Sequence, residues 1–245
     1  MSTAKQTATP ISRDVVIVEG SDARDYLNTQ LTQDIMAIGL GESAWSFLLD
    51  PKSSIVALVR VTRIGQDRIT LDVEPGHGDA VRSRLDGLLF RTDARFSQAT
   101  WPGVSWHGPG SAAQVADAPI VSRSPWAGIE GLDVVGPSVS VPSGTDRLSE
   151  DELEAMRIEA GWPAMGKEII DGITPAMTGL VELTVSFDKG CYTGQELVAR
   201  VHHRGAAPTK RLVGIQTGEH AVSAGQEFSI DGDVAGFVPS SSGSE

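Results

Sequence analysis

The segment from Ser43 to Val73 constrains the fold more than any other. SAWSFLLD, SIVALVRV and RITLDV are apolar runs rich in β-branched residues, separated only by the turn DPKS, with Pro51 at its second position, and by the loop around GQD. Connections this short suit hairpins, because a parallel crossover takes a dozen or more residues. An antiparallel meander is expected here.

The flanking segments add helices. VVIVEG predicts a short strand, and SDARDYLNTQLTQDI predicts a helix capped by Ser21, with Asp22 in its first turn and Leu27 and Leu31 spaced i, i+4. GDAVRSRLDGLLF predicts a second helix with Val81, Leu85 and Leu88 or Leu89 inward. From about Trp101 to Ser149 the chain is rich in Gly, Pro, Ser and Ala, and short strands joined by turns are expected. SEDELEAMRIEAGWP carries a capping box, Ser149 with Glu152, places Leu153 and Met156 on one face, and stops at Gly161 and Pro163. Downstream, RLVGIQ, QEFSID and VAGFV are expected strands, the last two joined by Asp231-Gly232. No internal repeat is visible. Three closing strands are too few to complete a barrel, so this unit is expected either to pack on the main domain or to lack residues that longer relatives carry.

Composition narrows the function classes. With 245 residues, 40% of them hydrophobic, the chain can bury one large core or two smaller ones. No apolar run approaches the length of a bilayer span, and MSTAKQTATPISRDVV lacks a secretory h-region, so a cytoplasmic location without a membrane partner is expected. The net charge of −12 opposes general association with polyanions, and direct nucleic-acid binding is not expected. Charge is uneven, however. Between Lys189 and Arg211, the residues Lys189, Arg200, Arg204, Lys210 and Arg211 face Glu196 alone. This is either a local anion site or a solvated basic helix face, and charge alone favours the second.

The only cysteine, Cys191, lies in DKGCYTGQELVARVHHRG. One thiol forms no internal disulfide, in keeping with a reducing compartment. Thr193-Gly194-Gln195-Glu196 fits a second capping box with LVARV continuing as helix, which sets Cys191 just ahead of a helix N-terminus where the dipole and Lys189 would favour a thiolate. The alternative is a small buried hydrophobe. His202 or His203 would serve a cysteine hydrolase as base, but a continuous helix separates them from Cys191 by roughly 16 Å. Direct pairing is not expected, and a basic helix end is the preferred reading. His77, His107 and His220 are scattered without zinc-site spacing. One thiolate cannot hold an iron–sulfur cluster unaided, so any link to such clusters would be indirect or shared between chains. Trp45, Trp101, Trp106, Trp126 and Trp162 are expected in the core and turns rather than as ligand platforms.

KGCYTGQE closely resembles the signature of the YgfZ family of folate-binding proteins, relatives of the glycine-cleavage T-protein, an aminomethyltransferase. The resemblance extends to LNTQLTQD, FLLDPKSSIVALVRV, RIEAGWPAMGKEI and ARVHHRG, and covers most of residues 14 to 238, with residues 100 to 147 poorly matched. It implies an α+β fold: a multi-lobed, T-protein-like folate-binding body around a central cleft (residues 1–207), followed by a partial C-terminal β-barrel (208–245). It further implies binding of tetrahydrofolate or a derivative, and support of iron–sulfur client proteins, including enzymes that modify tRNA. Cys191 is the residue carried over for that role, with Lys189, Gly190, Tyr192, Gly194, Gln195 and Glu196 around it. Arg200 and the basic residues that follow are candidates for the folate's glutamate tail, and Arg157, with Glu159, for the pocket by its place on the capped helix.

Two departures qualify the resemblance. The T-protein carries an aspartate in the strand after its first hairpin turn, whereas SSIVALVRV has no acid, so aminomethyl transfer loses the carboxylate expected to assist it. The family's barrel also continues beyond SSSGSE, so a fragment or a short member is expected. A folate-dependent aminomethyltransferase remains the alternative function, and an RNA-contacting or protein-docking factor using the basic patch is a third.

Overall fold

A computed structural model describes residues 6–110, 117–205, 208–218, 222–230 and 233–242. The expected meander is present as β2 (Ser43–Leu49), β3 (Ile55–Gly65) and β4 (Arg68–Val73). It forms part of a seven-stranded antiparallel sheet of order β2-β3-β4-β1-β5-β7-β6. The remaining strands are β1 (Thr7–Glu19), β5 (Arg95–His107), β6 (Ile120–Arg123) and β7 (Gly131–Val135).

Two of these differ from expectation. The short strand at VVIVEG is the second half of the 13-residue β1, and Trp101–His107 completes the equally long β5, which pairs with β1 from Thr7↔His107 to Glu19↔Arg95. Pro10 and Pro102 interrupt the apolar pattern of both strands and hide their length from sequence reading.

Alternation along β1 sorts its side chains. Val16 and Val18 join Leu27, Val61, Leu71 and Val81 on one face, while Val15 and Ile17 pack with Trp101, Ile120 and Val135 on the other. Both faces are covered, which is why VVIV is a continuous apolar run. The first face lies under α1 (Ala23–Gln30) and α2 (Gly78–Asp86). The start of α1 is not capped as expected. Ser21 instead bonds the Asp93 carboxylate through both N (3.2 Å) and Oγ (3.0 Å), and Asp22 occupies the cap position of α1 without a side-chain cap bond. At α2, Asp14 reaches from β1 to accept from the Gly76 and Gly78 amides at 2.8 and 3.2 Å. Leu89, rather than the exposed Leu88, packs on this core.

The sheet is strongly curled. β3 and β7 are four strand positions apart, about 19 Å if flat. Arg60 of β3 nevertheless bonds Asp133 of β7 at 2.9 Å, and the edge strands β2 and β6 approach within 8 Å. The result is a half-barrel whose concave face carries Arg13, Val15, Arg60, Asp72, Ser105 and Asp133.

The segment from Trp162 to Val198 closes the β2–β3 side of this concave face, with Trp162, Ile169, Val185, Tyr192 and Val198 packing on Phe47, Leu49, Ile55 and Leu58. It is led by α3 (Glu150–Glu159), whose N-terminus is the expected capping box. Glu152 N donates to Ser149 Oγ at 3.2 Å, and Ser149 N donates to the Glu152 carboxylate at 2.8 Å. Ser149→Ala is expected to cost about 1 kcal/mol, read as a lower urea midpoint at unchanged m-value.

At the other end, RLVGIQ is not a strand. It runs as irregular backbone anchored by Leu212 N to Met177 O at 2.8 Å. Among the described residues only β8 (Glu227–Ile230) and β9 (Asp233–Phe237) pair there, and the Asp231-Gly232 turn expected between them lies outside the described residues.

Candidate functional site

The concave polar stripe is built from charged residues set into apolar strands. Arg60 is fully buried and holds Asp72 through Nε (3.0 Å) and Nη2 (3.0 Å), while its Nη1 reaches Asp133. Arg13 of β1 adds Nε to Asp72 Oδ2 at 2.9 Å. Burial alone would raise the Asp72 carboxyl, but Arg60 and Arg13 outweigh it and hold the group below the usual carboxylate range. Trp45 lies over the same guanidinium, its centroid 5.6 Å away.

Ser105 donates to Asp133 Oδ1 at 2.6 Å, which commits its only proton. His107 Nε2, 3.1 Å from Ser105 Oγ, is therefore the protonated ring nitrogen, and buried Nδ1 has no partner among the described residues. Burial keeps this imidazole below its ordinary pKa.

Above the stripe opens a cleft of about 310 Å³, at the lower end of small-ligand sites. Three of the five tryptophans line it: Trp45 and Trp162, edge to face at 4.9 Å, and Trp126, stacked on His107 at 5.2 Å. The expected core placement holds for buried Trp101, Trp106 and Trp162, and Trp162 with the half-buried Trp45 and Trp126 also faces the cleft. Rings arriving from β2, the β6–β7 connection and the end of α3 meet only because the sheet curls.

Arg157 also lines the cleft, but its N–H donors are committed. They go to both oxygens of Glu154 (2.8 and 2.7 Å), both oxygens of Glu168 (3.0 and 3.3 Å), the Trp162 carbonyl and Ser240 Oγ. The hydrogen bonds from Arg157 hold the Glu154 carboxyl at about 2. Glu159 is exposed and lies outside the cleft. Glu74, by contrast, is a half-buried lining carboxylate that, among the described residues, accepts only the Met165 amide, at 2.6 Å. Burial pushes its pKa above the usual range.

The signature segment sits away from this cleft. Lys189 turns inward and donates to the carbonyls of Asn28, Leu31 and Gln33 at 2.6, 2.8 and 2.7 Å, tying the loop to the end of α1. Burial pulls its ammonium down to about 8, although three carbonyl acceptors favour the charged form. Tyr192 is buried, and burial lifts its phenol to about 12. Thr193 N donates to Thr29 O at 3.1 Å, and Ser53 Oγ to Gly194 O at 2.5 Å. Gly190 and Cys191 are exposed.

The second capping box does not form. Gly194, left-handed at φ 82°, stands at the N-cap of α4 (Gln195–Arg204), Gln195 accepts the Tyr192 amide, and Glu196 pairs with Arg200. Of the basic residues, Lys189 turns inward, Arg200 pairs with Glu196 on the exposed helix face, Lys210 and Arg211 are exposed, and the Arg204 side chain lies outside the described residues. His202 stacks on Phe187 at 3.7 Å, a contact that sequence reading did not anticipate.

Sequence reading also passed over Arg13, Arg60, Asp72, Glu74 and Asp133. The available signal was a charge inside an apolar strand, as in IVALVRV, RITLDV and GLDVV, because a buried strand keeps a charge only when it is paired.

No protein-family profile matches the chain. An uncharacterized protein of Haemophilus influenzae is 28% identical over 208 residues, covering 78% of this chain and 67% of that protein. The tRNA-modifying protein YgfZ of Escherichia coli is 46% identical over 82 residues, 30% of this chain and 24% of that protein. Among solved structures, the glycine cleavage system aminomethyltransferase T of Bartonella henselae superposes with a TM-score of 0.69 at 20% identity, over 82% of this chain and 64% of that enzyme. The chain is similar to YgfZ over part of its length and has the T-protein fold. The match to E. coli YgfZ thus spans about a quarter of that protein's length, and the superposition less than two thirds of the Bartonella enzyme's. In the YgfZ-like chain the aminomethyltransferase fold is the curled half-barrel, joined by helices to a mixed α/β whole. Among its described residues no helix is long and apolar enough to cross a membrane.

Proposed function

We propose that the chain binds tetrahydrofolate or a derivative in the concave cleft and acts as a YgfZ-type accessory protein, supporting the assembly or repair of iron–sulfur proteins, including enzymes that modify tRNA. The observation that carries the folate reading is the cleft itself. Three indole rings surround a space at the scale of a small-ligand site, over a floor of paired charges, and this suits a planar heterocycle with a polar edge. In this reading residues 1–207 form the ligand-binding unit and 208–245 the barrel unit, and Cys191 is the exposed transfer or redox thiol, acting outside the cleft.

Lys189, Tyr192, Gly194, Gln195 and Glu196 then position the loop that carries Cys191, and Arg157 stiffens the cleft wall. The folate-dependent aminomethyltransferase reading has less support, since the charged group that β3 offers the cleft floor is Arg60 rather than a carboxylate.

Titration with 5-formyltetrahydrofolate, followed by tryptophan fluorescence and calorimetry, tests the reading. Saturable binding with quenching is expected, and Cys191→Ser should retain the affinity within about twofold, since Cys191 does not line the cleft. Absence of binding in the wild-type protein would sink the folate assignment.

A further inference from the structure

Counting hydrogen bonds among the charged groups that line the cleft leaves two atoms without a partner among the described residues. Arg157 has spent every N–H, and both oxygens of Asp133 are taken, Oδ1 by Ser105 and Oδ2 by Arg60. Arg13 uses Nε and Nη2 on Asp72 and leaves Nη1 open, while Glu74 uses Oε2 on the Met165 amide and leaves Oε1 open. The β1–β4 ladder ends at Asp14↔Val73, so Arg13 and Glu74 are the next residues of the two strands beyond its last pair. Both line the cleft, yet they are not ion-paired with each other. A cation with a free donor thus stands beside a carboxylate with a free acceptor, at a site walled by indoles.

We propose that Arg13 and Glu74 read the lactam–amidine edge of the bound ring, the edge that reduced pterins share with guanine. The ring carbonyl accepts from Arg13 Nη1, and the neighbouring ring N–H and exocyclic amino group donate to the Glu74 carboxylate. The assignment rests on the folate reading for its choice of ring, but its chemistry is that of the edge. The Met165 amide supports it by fixing the Glu74 carboxylate from behind. Burial supports it too, since a carboxyl held above its usual range gains most from two new donors.

The test compares wild type with Glu74→Gln, which keeps shape and an acceptor for the Met165 amide but loses the charge and turns one acceptor into a donor. The probes are 5-formyltetrahydrofolate, its 2-desamino analogue and guanosine. Glu74→Gln is expected to weaken 5-formyltetrahydrofolate roughly 10- to 100-fold. The 2-desamino analogue should bind wild type more weakly by a similar factor and lose little further affinity in the variant, since both changes remove the same contact. This ligand-side comparison stands even where the variant folds poorly.

If wild type binds the folate and Glu74→Gln binds it equally well, the edge assignment is overturned and the folate reading survives. If wild type binds guanosine but not the folate, and Glu74→Gln abolishes that binding, the edge assignment stands and the folate reading fails. If wild type binds neither, both fail.

Discussion

Replacing Arg60 with methionine is expected to lower stability by about 3–5 kcal/mol, seen as a large drop in the urea midpoint. Arg60 is buried, as is Asp72, and its guanidinium also neutralises Asp133 across the curl of the sheet. Methionine fills much of the volume but leaves Asp72 with Arg13 alone and Asp133 with Ser105 alone.

The pH dependence separates lost charge pairing from lost packing. In the wild type, Asp72 is held below its unfolded value, so its contribution is present above about pH 4 and is lost as pH falls through the lower folded value. Without Arg60, burial dominates and the carboxyl moves upward, so the variant's deficit should shrink toward pH 4. The triple variant Arg60→Met, Asp72→Asn, Asp133→Asn should recover part of the loss at neutral pH, because no uncompensated carboxylate remains. A deficit independent of pH and unrelieved in the triple variant would mean that packing, rather than charge, governs the stripe.

Gly194→Ala is expected to cost about 2–4 kcal/mol and to loosen the Cys191 loop. Gly194 sits at φ 82°, where an L side chain is strained, and a Cβ there would lie 2.7 Å from the Asp50 carbonyl and 3.1 Å from Leu49 Cβ. Those neighbours belong to the β2–β3 turn, itself fixed by Asp50 accepting the Lys52 and Ser54 amides, so they cannot yield cheaply. Relief requires the start of α4 to move off the turn, breaking the Ser53 bond to the Gly194 carbonyl. Hydrogen exchange across residues 192–200 should accelerate while the α1–α2 face stays protected. Gly190→Ala is the control. Its φ is not left-handed and no atom lies within 4 Å of its added Cβ, so little change is expected.

Part of this architecture was legible in the chain because its cause is local. The meander follows from three apolar runs with two short turns, and the start of α3 follows from a serine and a glutamate three residues apart. The same local logic misplaced the caps at Ser21 and Thr193. A hydroxyl near a helix start can be met by other partners: Ser21 bonds the Asp93 carboxylate, and the left-handed Gly194 takes the N-cap position next to Thr193. KGCYTGQE pointed to the YgfZ-like group, but its residues hold a loop rather than a cleft, with Lys189 spent on three carbonyls and Tyr192 in the core.

By itself the sequence determined what adjacent residues can decide: an antiparallel sheet, its period-2 burial and the best-capped helix. The tertiary structure alone decided where the site is. Arg13, Arg60, Asp72 and Asp133 come from four strands spanning more than 100 residues; pairing of β3, β4 and β1 brings the first three together, and the curl of the sheet adds Asp133. A buried charge is tolerable only beside its partner, so the curl that brings Arg60 to Asp133 also defines the cleft, gathers the three tryptophans and leaves Arg13 and Glu74 with free hydrogen-bonding atoms.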